Sequence, residues 1–434
     1  MTPALPRQKA DGLRRARPGA SCERRNAALP RPKASRNLPP HSSTMPTHSI
    51  FNYAVEPIRQ WKEGMNADAA LRDFMKRHPQ FPQPGREKLI RAVFAYFRWM
   101  HWLEKDRLPE QIEAASVIQA KFTSDPRSIK DQTLAARAVP EWVWPELDFG
   151  PEPEGEARKF AWLRSLQKTP PLWLRARPGT APALAKTLGH CTPATDPLGP
   201  DALHYTGAAD LYRSTPFEAG AFEIQDLASQ IVGTICAPQP GETWWDACAG
   251  EGGKSLHLAD QMQNKGTLWC SDRSIRRLDN LKRRFSRAKL FNYRLAPWEK
   301  PDALPTRTKF DGILVDAPCS GVGTWARNPD ARWTTTLKDV QELATVQLQL
   351  LNKVAGSLKP GGRLVYAVCT ITRSETTAVA AAFSAAHPEL EPLALTASPA
   401  ADNPPSAVRD PYSLTLWPQE HNANGMFIAA WRLR

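Results

Sequence analysis

The second half of the chain alternates short apolar runs with longer segments of helical spacing. The runs are typical of buried strands and lie at residues 243–247, 267–271, 310–315 and 363–368. Residues 337–358 place apolar side chains on one face and precede Lys359-Pro360-Gly361-Gly362, so they predict a helix that stops there. Strands that alternate with helices predict an α/β fold with a doubly wound parallel sheet, which we place at residues 216–434.

The first half of the chain has a helical pattern. Residues 46–140 predict a small all-helical domain, in which Val93 and Phe97 recur at helical spacing and basic side chains occupy the other face. Aromatic residues in this stretch could stack on RNA, but at such spacing they more often form a core, which we favour. They are Tyr96, Trp99 and Trp102.

Two further segments flank this helical domain. Residues 1–45 are rich in proline, arginine, alanine and serine without hydrophobic periodicity, so we expect a disordered basic tail. An RNA-binding tail, a targeting extension and an untranslated upstream sequence are all open for this stretch. The globular pattern that begins at Met45 favours the last of them. Residues 141–215 contain several prolines and predict a linker with a small α+β element.

Composition restricts the class of protein. The chain has 434 residues, of which 41% are hydrophobic, enough for more than one core. No apolar run approaches the roughly 18 residues of a membrane-spanning helix, and none follows the basic amino terminus as in a signal peptide. The seven cysteines are scattered without metal-type pairing, as in a reducing compartment. We therefore expect a cytoplasmic monomer without membrane contact and without a metal site.

Positive charge is concentrated in two segments. The formal net charge is +13, and residues 1–45 contribute ten basic side chains against two acidic ones. Residues 273–294 contribute nine basic side chains against Asp279 alone. Such a patch attracts the phosphates of a nucleic acid, but a charge run is equally typical of a solvated helix face. The residues alone leave both interpretations open.

A glycine-rich turn follows the first strand of the predicted sheet, with the sequence Asp246-Ala247-Cys248-Ala249-Gly250-Glu251-Gly252-Gly253-Lys254. Glycines there let a ligand approach bare backbone, and the next helix begins with its positive dipole end towards that ligand. Asp272 lies 22 residues beyond Gly250 and ends the second strand, where an acid can accept both hydroxyls of a ribose. The pattern predicts a nucleoside cofactor and fits NAD as well as S-adenosylmethionine.

Two cysteines end the last two predicted strands. Cys319 lies in Asp316-Ala317-Pro318-Cys319-Ser320-Gly321, and Cys369 lies in Val365-Tyr366-Ala367-Val368-Cys369-Thr370. Because parallel strands end at one edge of a sheet, both thiols are expected where α/β sheets bind ligands. A single cysteine is usually a small buried hydrophobe. The strand-end positions and the Pro-Cys-Ser-Gly context favour a catalytic role for this pair.

Together, these three segments resemble the Sun/Fmu-type family of S-adenosylmethionine-dependent RNA 5-methylcytosine methyltransferases. The resemblance implies a Rossmann-like class I methyltransferase domain behind the helical domain. It also implies S-adenosylmethionine as the cofactor. The cofactor-binding residues that it implies are Cys248, Ala249, Gly250, Glu251, Gly252, Gly253, Lys254, Asp272, Arg277 and Asp316.

The resemblance also implies catalytic roles. Cytosine C5 becomes nucleophilic only after a thiolate adds to C6, and protons must then move on the ring. In the family, the cysteine of the later motif, here Cys369, is the nucleophile. The earlier cysteine, here Cys319, assists release of the product. Asp316 is expected to hydrogen-bond N3 and the amino group of the cytosine.

The chain departs from the family pattern at several positions. Glu251 stands where proline is usual, and it is expected either to repel the methionine carboxylate or to pair with Lys254. Residues 294–298 lack the usual acid after the third strand, which weakens the expected contact with adenine or ribose. Val368 replaces a threonine or serine, and Asn424 replaces an aspartate.

An RNA substrate is implied by the resemblance, with the basic helix 273–289 against the backbone of the RNA. A helical domain ahead of the catalytic core is most similar to bacterial enzymes that act on small-subunit ribosomal RNA. Transfer RNA stays open, as does a noncatalytic RNA-binding member with a degenerate cofactor pocket. A DNA cytosine methyltransferase would need no second cysteine. A nicotinamide oxidoreductase would leave both cysteines unexplained.

Overall fold

The computed structural model of the chain describes residues 47–81, 83–104, 107–300, 303–395 and 411–434. The tail predicted for residues 1–45 lies outside this part of the chain. The described residues belong to one compact unit. The predicted boundaries between a helical domain, a linker and a catalytic domain therefore remain predictions.

The amino-terminal region is helical, and five helices cover it. Tyr96 and Trp99 are buried in its core, and Trp102 packs against that core. The core interpretation of these aromatic side chains is therefore confirmed, and their rings are not presented for stacking on RNA. The helices are α1 Thr47–Lys62, α2 Ala67–Arg77, α3 Gln83–Trp99, α4 Leu108–Ser124 and α5 Asp131–Arg137.

Next in the chain is a small antiparallel sheet with three short helices. Its strand order is β2-β3-β1-β4, and β1 is paired on both sides. The strands are β1 Leu172–Ala176, β2 Cys191–Pro193, β3 Ala202–Tyr205 and β4 Phe222–Ile224. The helices are α6 Glu154–Ser165, α7 Ala181–Leu188 and α8 Thr215–Glu218.

The carboxyl-terminal region contains an eight-stranded sheet. Five parallel neighbours follow the order β9-β8-β5-β6-β7, and β12 extends the sheet antiparallel to β9. The strands are β5 Thr243–Asp246, β6 Thr267–Cys270, β7 Tyr293–Leu295, β8 Phe310–Asp316, β9 Leu358–Val368, β10 Leu390–Pro392, β11 Ser413–Leu416 and β12 Met426–Leu433. The helices are α9 Leu227–Cys236, α10 Gly253–Gln261, α11 Ile275–Arg287, α12 Leu337–Ala355, α13 Thr377–Ala386 and α14 Pro418–His421.

Helices cover both faces of this sheet. Alternate residues of one strand point to opposite faces, and Trp244 and Trp245 of β5 are accordingly buried in two separate cores. The first core also contains Leu281 of α11, and the second contains Leu351 of α12. The predicted fold class, a doubly wound Rossmann-like α/β domain behind a helical region, is confirmed.

The predicted end of the long helix is wrong. Helix α12 ends at Ala355, with Gly356 as its cap, rather than at residue 358. The Lys-Pro-Gly-Gly segment is not a helix stop but lies inside β9, where the register against β8 shifts between Phe310 and Gly312. Proline and glycine are tolerated there because a bulge relieves the regular pairing.

The loop after β8 attaches the helical region to the sheet domain through hydrogen bonds. Asp330 accepts a hydrogen bond from the backbone of Ala67 at the start of α2, at 2.9 Å. Arg332 is fully buried and donates to backbone carbonyls, among them that of Ala138 at 3.4 Å. These contacts fix the helical region relative to the loop that follows Cys319.

No helix in the described ranges has the length and apolar character needed to cross a bilayer. The same residues contain no group of three or more histidine, cysteine and acidic side chains placed to hold a metal ion.

Candidate active site

The predicted site residues lie on loops at one edge of the large sheet. Strands β5 and β8 are neighbours, and the chain proceeds from β5 towards one side of the sheet and from β8 towards the other. The loops after these two strands therefore diverge and leave a crevice, which is where open α/β sheets bind ligands. The glycine-rich turn follows β5, and the Asp316 to Cys319 segment follows β8.

Two acids shape the glycine-rich turn. Asp246 is buried and accepts hydrogen bonds from the Ser255 hydroxyl at 2.6 Å and the Cys248 N–H at 3.3 Å. Burial raises the pKa of Asp246 to about 7. Asp272 accepts from the Gly250 N–H at 3.0 Å with one oxygen and from the Ser274 N–H at 2.7 Å with the other. Each oxygen of Asp272 keeps a second lone pair for a ligand hydroxyl.

The glycines of the turn serve two different needs. Gly250 has a φ of +54°, and a Cβ built there would meet no atom within 4 Å, so its face is open to a ligand. Gly252 has a φ of +84°, and a Cβ there would lie 2.7 Å from Leu281 of α11. Gly252 is thus required for packing rather than for ligand approach, which differs from the reason expected from the sequence.

Replacing Gly252 is expected to destabilise the fold. Gly252→Ala should lower the free energy of unfolding by about 1–3 kcal/mol, because a side chain is forced into a left-handed conformation and against Leu281. Denaturant unfolding measures this change. Gly356→Ala is the matched control, since Gly356 has a helical φ of −65° and no atom within 4 Å of the added Cβ. Equal losses in the two variants would contradict the packing argument.

Lys254 forms an ion pair with Asp316 across the crevice. Its ammonium lies 2.8 Å from the Asp316 carboxylate, and its side chain is largely buried. Burial alone would lower the pKa of Lys254, but the Asp316 charge raises it above the usual value. The expected pairing of Glu251 with Lys254 is wrong, because the Glu251 carboxylate accepts from Asn280 at 3.0 Å instead. Lys254 pairs with Asp316 because the Asp316 carboxylate lies at the end of the neighbouring strand β8.

The two strand-end cysteines lie together. The sulfurs of Cys319 and Cys369 are 3.3 Å apart, and both cysteines are free and half-buried. A hydrogen bond from Cys319 lowers the pKa of the Cys369 thiol, and the nearby Lys254 ammonium lowers it further. The same hydrogen bond, together with burial, raises the pKa of Cys319 well above its usual value. The directions of these two shifts favour Cys369 as the thiol that ionises, with Cys319 as the donor to it.

Removal of the Lys254 charge is expected to raise the pKa of Cys369. In Lys254→Met, the pH midpoint for alkylation of Cys369 by iodoacetamide should rise by about one pH unit. At any pH below the midpoint, the fraction of Cys369 present as thiolate then falls about tenfold. Peptide mass spectrometry after timed alkylation measures the midpoint. Lys359→Met is the control, because Lys359 pairs with Asp311 at the opposite end of β8. An unchanged midpoint in Lys254→Met would show that Lys254 does not act on the thiol.

Known proteins match this sheet domain and its loops. A model of the family described as 16S rRNA methyltransferase RsmB/F matches residues 233–432, which include the glycine-rich turn and both cysteines. Ribosomal RNA small subunit methyltransferase B of Shewanella oneidensis is 33% identical over 327 residues, covering 72% of this chain and 70% of that protein. The chain belongs to the RsmB/F family.

A second relative and a solved structure are also similar to this chain. A probable ribosomal RNA small subunit methyltransferase B of Synechocystis sp. is 31% identical over 303 residues, 67% of this chain and 66% of that protein. The match thus covers just under two thirds of the Synechocystis protein. The crystal structure of NSun6 from Pyrococcus horikoshii with SFG has the same fold, with a TM-score of 0.56 and 20% identity over 64% of this chain and 95% of that one.

A tryptophan lies in the segment 294–298, in which this RsmB/F chain lacks the acid after the third strand. The indole N–H of Trp298 donates to the Ala247 carbonyl at 2.8 Å, and its ring packs against Trp245. The loop after β7 is therefore fastened to the glycine-rich turn by a neutral hydrogen bond. A carboxylate at this place would face a carbonyl oxygen instead of a donor.

Only some of the basic side chains of helix α11 are available to bind a polyanion such as RNA. Arg284 and Arg287 of α11 are paired with the buried Glu223, at 2.9 and 2.5 Å. Arg277 lies 3.9 Å from Asp272 and is largely exposed. The exposed basic side chains of this region are Arg273, Arg276, Arg277, Lys282, Arg283 and Lys289. The exposed side chains fit either interpretation of the charge run, whereas Arg284 and Arg287 form structural ion pairs that neither interpretation predicted.

Sequence reasoning missed two buried side chains beneath the cysteine pair. Glu375 accepts hydrogen bonds from the Ser320 N–H at 2.8 Å and from the amide of Gln347 at 3.0 Å. Gln347 also donates to the Pro318 carbonyl at 2.9 Å. A polar residue on the apolar face of α12 was the signal that could have revealed Gln347. Nothing in the local pattern marks Glu375, since two of its three partners, Ser320 and Gln347, come from distant segments.

Proposed function

We propose that this RsmB/F chain transfers a methyl group from S-adenosylmethionine to C5 of a cytosine in small-subunit ribosomal RNA. The observation that carries the proposal is the pair of sulfurs 3.3 Å apart, at the sheet edge that also carries the glycine-rich turn. When the acceptor atom of the substrate is itself nucleophilic, it attacks the methyl group directly and the enzyme needs no thiol. Two thiols of unlike protonation fit a reaction with a covalent step and a release step.

The residues of the turn fit S-adenosylmethionine. The open face of Gly250 admits a ligand against bare backbone, and α10 begins at Gly253 with its amide groups towards the crevice. The second lone pairs of Asp272 suit ribose hydroxyls. When bound, the sulfonium supplies an electrophilic methyl group. The residues proposed to hold it are Cys248, Ala249, Gly250, Glu251, Gly253, Lys254, Asp272, Arg277 and Asp316, and Gly252 belongs to the same turn through its packing against Leu281.

Cys369 and Asp316 act on the cytosine in this proposal. The Cys369 thiolate adds to C6, and C5 thereby gains the electron density with which it takes the methyl group. One oxygen of Asp316 is held by Lys254, so the other can accept a hydrogen bond from the cytosine amino group. The Lys254–Asp316 pair thus fixes the base edge while its ammonium favours the ionised thiol.

The target cytosine must leave a base stack to reach the sheet edge, which favours a loop or a flipped nucleotide. The exposed basic side chains of α11 are placed beside the glycine-rich turn, since Arg284 donates to the Glu251 carbonyl at 3.0 Å. They are proposed to hold the RNA backbone. Ribosomal RNA is preferred over transfer RNA as substrate because the matched relatives are named for ribosomal RNA.

A methylation assay tests the proposed function. The protein is incubated with labelled S-adenosylmethionine and either unmodified small-subunit ribosomal RNA or unmodified transfer RNA, and the nucleosides are separated by mass spectrometry. We expect 5-methylcytidine in the ribosomal RNA. Label in the transfer RNA alone would show that the substrate is transfer RNA rather than ribosomal RNA. Label in a base other than cytosine would refute the proposal. RNA binding without any label would indicate a noncatalytic member.

A further inference from the structure

A buried carboxylate links the two loops that carry the cysteines. Glu375 lies in the short turn that follows Cys369, and its side chain is fully buried. Its oxygens accept from the Ser320 N–H at 2.8 Å, the Ser320 hydroxyl at 2.5 Å, the Thr372 hydroxyl at 2.8 Å and the Gln347 amide at 3.0 Å. Ser320 is the residue after Cys319, so one carboxylate fixes the Cys319 loop against the end of the Cys369 strand.

All four donors to this carboxylate are neutral. Among the residues that the structure describes, no lysine, arginine or histidine forms an ion pair with Glu375, although its side chain is buried. A buried charge that is compensated only by neutral donors is costly. If position 375 only had to connect the two loops, a glutamine would be sufficient. Its side-chain oxygen could accept from the two N–H donors, and its NH2 group could donate to the two hydroxyls. The negative charge therefore calls for a role of its own.

We propose that Glu375 is a positioning residue of the cysteine pair: its carboxylate ties the Cys319 loop to the Cys369 strand, and its charge keeps the proton on Cys319. This inference deepens the proposed function and rests on it for the catalytic consequence. Cys369 is then the thiol that ionises, and the two sulfurs cannot exchange roles.

The charges around the two sulfurs have the arrangement that this role requires. The groups that face the pair are Asp316, Lys254, Glu375 and the phenol of Tyr366. A hydrogen bond to Cys369 and burial raise the pKa of Cys319, and the Glu375 charge raises it further. Lys254 acts in the opposite direction on Cys369. At Cys369 the Asp316 charge opposes the effect of Lys254, so the two members of that ion pair act against each other there. At Cys319 the Glu375 charge acts in the same direction as the hydrogen bond to Cys369.

Glu375→Gln separates the charge from the tie, and Tyr366→Phe is its matched control. Tyr366 donates to the Glu375 backbone carbonyl at 2.6 Å and to Gln347 at 2.9 Å, so its loss disturbs the same buried network without removing the charge. The full-length chain is alkylated with limiting iodoacetamide near neutral pH, without RNA or cofactor. Peptide mass spectrometry then gives the ratio of modified Cys319 to modified Cys369.

The expected result is a change of selectivity in one variant only. In Glu375→Gln, the share of Cys319 should rise about tenfold, as when the pKa of a thiol falls by about one. Tyr366→Phe should keep the wild-type ratio, and in the methylation assay Glu375→Gln should lower kcat with little change in KM for RNA. A wild-type alkylation ratio in folded Glu375→Gln would overturn the inference. Alkylation needs no RNA, so it tests the inference separately from the proposed function. If Glu375→Gln changes the alkylation ratio but the wild-type protein methylates no RNA, only the proposed function is refuted.

Discussion

We expect Cys369→Ala to abolish methyl transfer, with a loss of roughly a thousandfold or more, as is usual when the nucleophile of a covalent mechanism is removed. The physical reason is that cytosine C5 has no other source of electron density. The Cys319 thiol cannot substitute, because burial and the Glu375 charge still raise its pKa when the Cys369 sulfur is absent. Initial rates with labelled S-adenosylmethionine measure the loss.

The control for Cys369→Ala is Cys191→Ala. Cys191 is a half-buried free cysteine on β2 of the small sheet, away from the sheet edge that carries the pair. Its replacement should leave the rate unchanged. A substantial rate in Cys369→Ala, with a folded protein, would show that the thiolate is not the nucleophile.

We expect Cys319→Ala to remain covalently attached to its RNA. Addition at C6 and methyl transfer at C5 proceed, but the C5 proton is not removed, so a protein–RNA adduct accumulates and survives denaturing electrophoresis. The adduct should approach one RNA per protein chain. The double variant Cys319→Ala, Cys369→Ala should form none. An adduct that appears only when Cys369 is lost would reverse the two roles.

In the proposed mechanism, Cys319 becomes a base only after Cys369 has bonded to the cytosine. Its raised pKa arises first from the hydrogen bond with the Cys369 sulfur, and in part from that sulfur's charge. Once the Cys369 sulfur is bonded to C6, it is a neutral thioether and a poor acceptor. Cys319 then ionises more readily and can take the C5 proton. The Cys369–C6 bond breaks as the ring regains its double bond.

The sequence predicted the features that depend on local pattern. The ends of β8 at Asp316 and of β9 at Val368, next to Cys369, follow from apolar runs that stop, and the rules of parallel sheets place such ends at one edge. The same rules failed at Lys359-Pro360-Gly361-Gly362, because a strand bulge and a helix stop use the same residues. Local pattern does not distinguish the two.

Features that depend on distant partners were not predictable. The choice of Asp316 over Glu251 as the partner of Lys254 depends on which carboxylate the fold brings within reach. The pairing of Arg284 and Arg287 with Glu223 depends on a strand more than 60 residues earlier in the chain. Glu375 is an acceptor for side chains of three segments, and only the folded chain assembles them.

The most direct test of the central claim is the identity of the atom that bonds to RNA. Cys319→Ala is incubated with S-adenosylmethionine and small-subunit ribosomal RNA, the adduct is digested with protease and nuclease, and the linked peptide is sequenced by mass spectrometry. We predict a methylated cytidine attached to the sulfur of Cys369. Attachment to any other residue, or a folded Cys319→Ala variant that turns over without an adduct, would contradict the account.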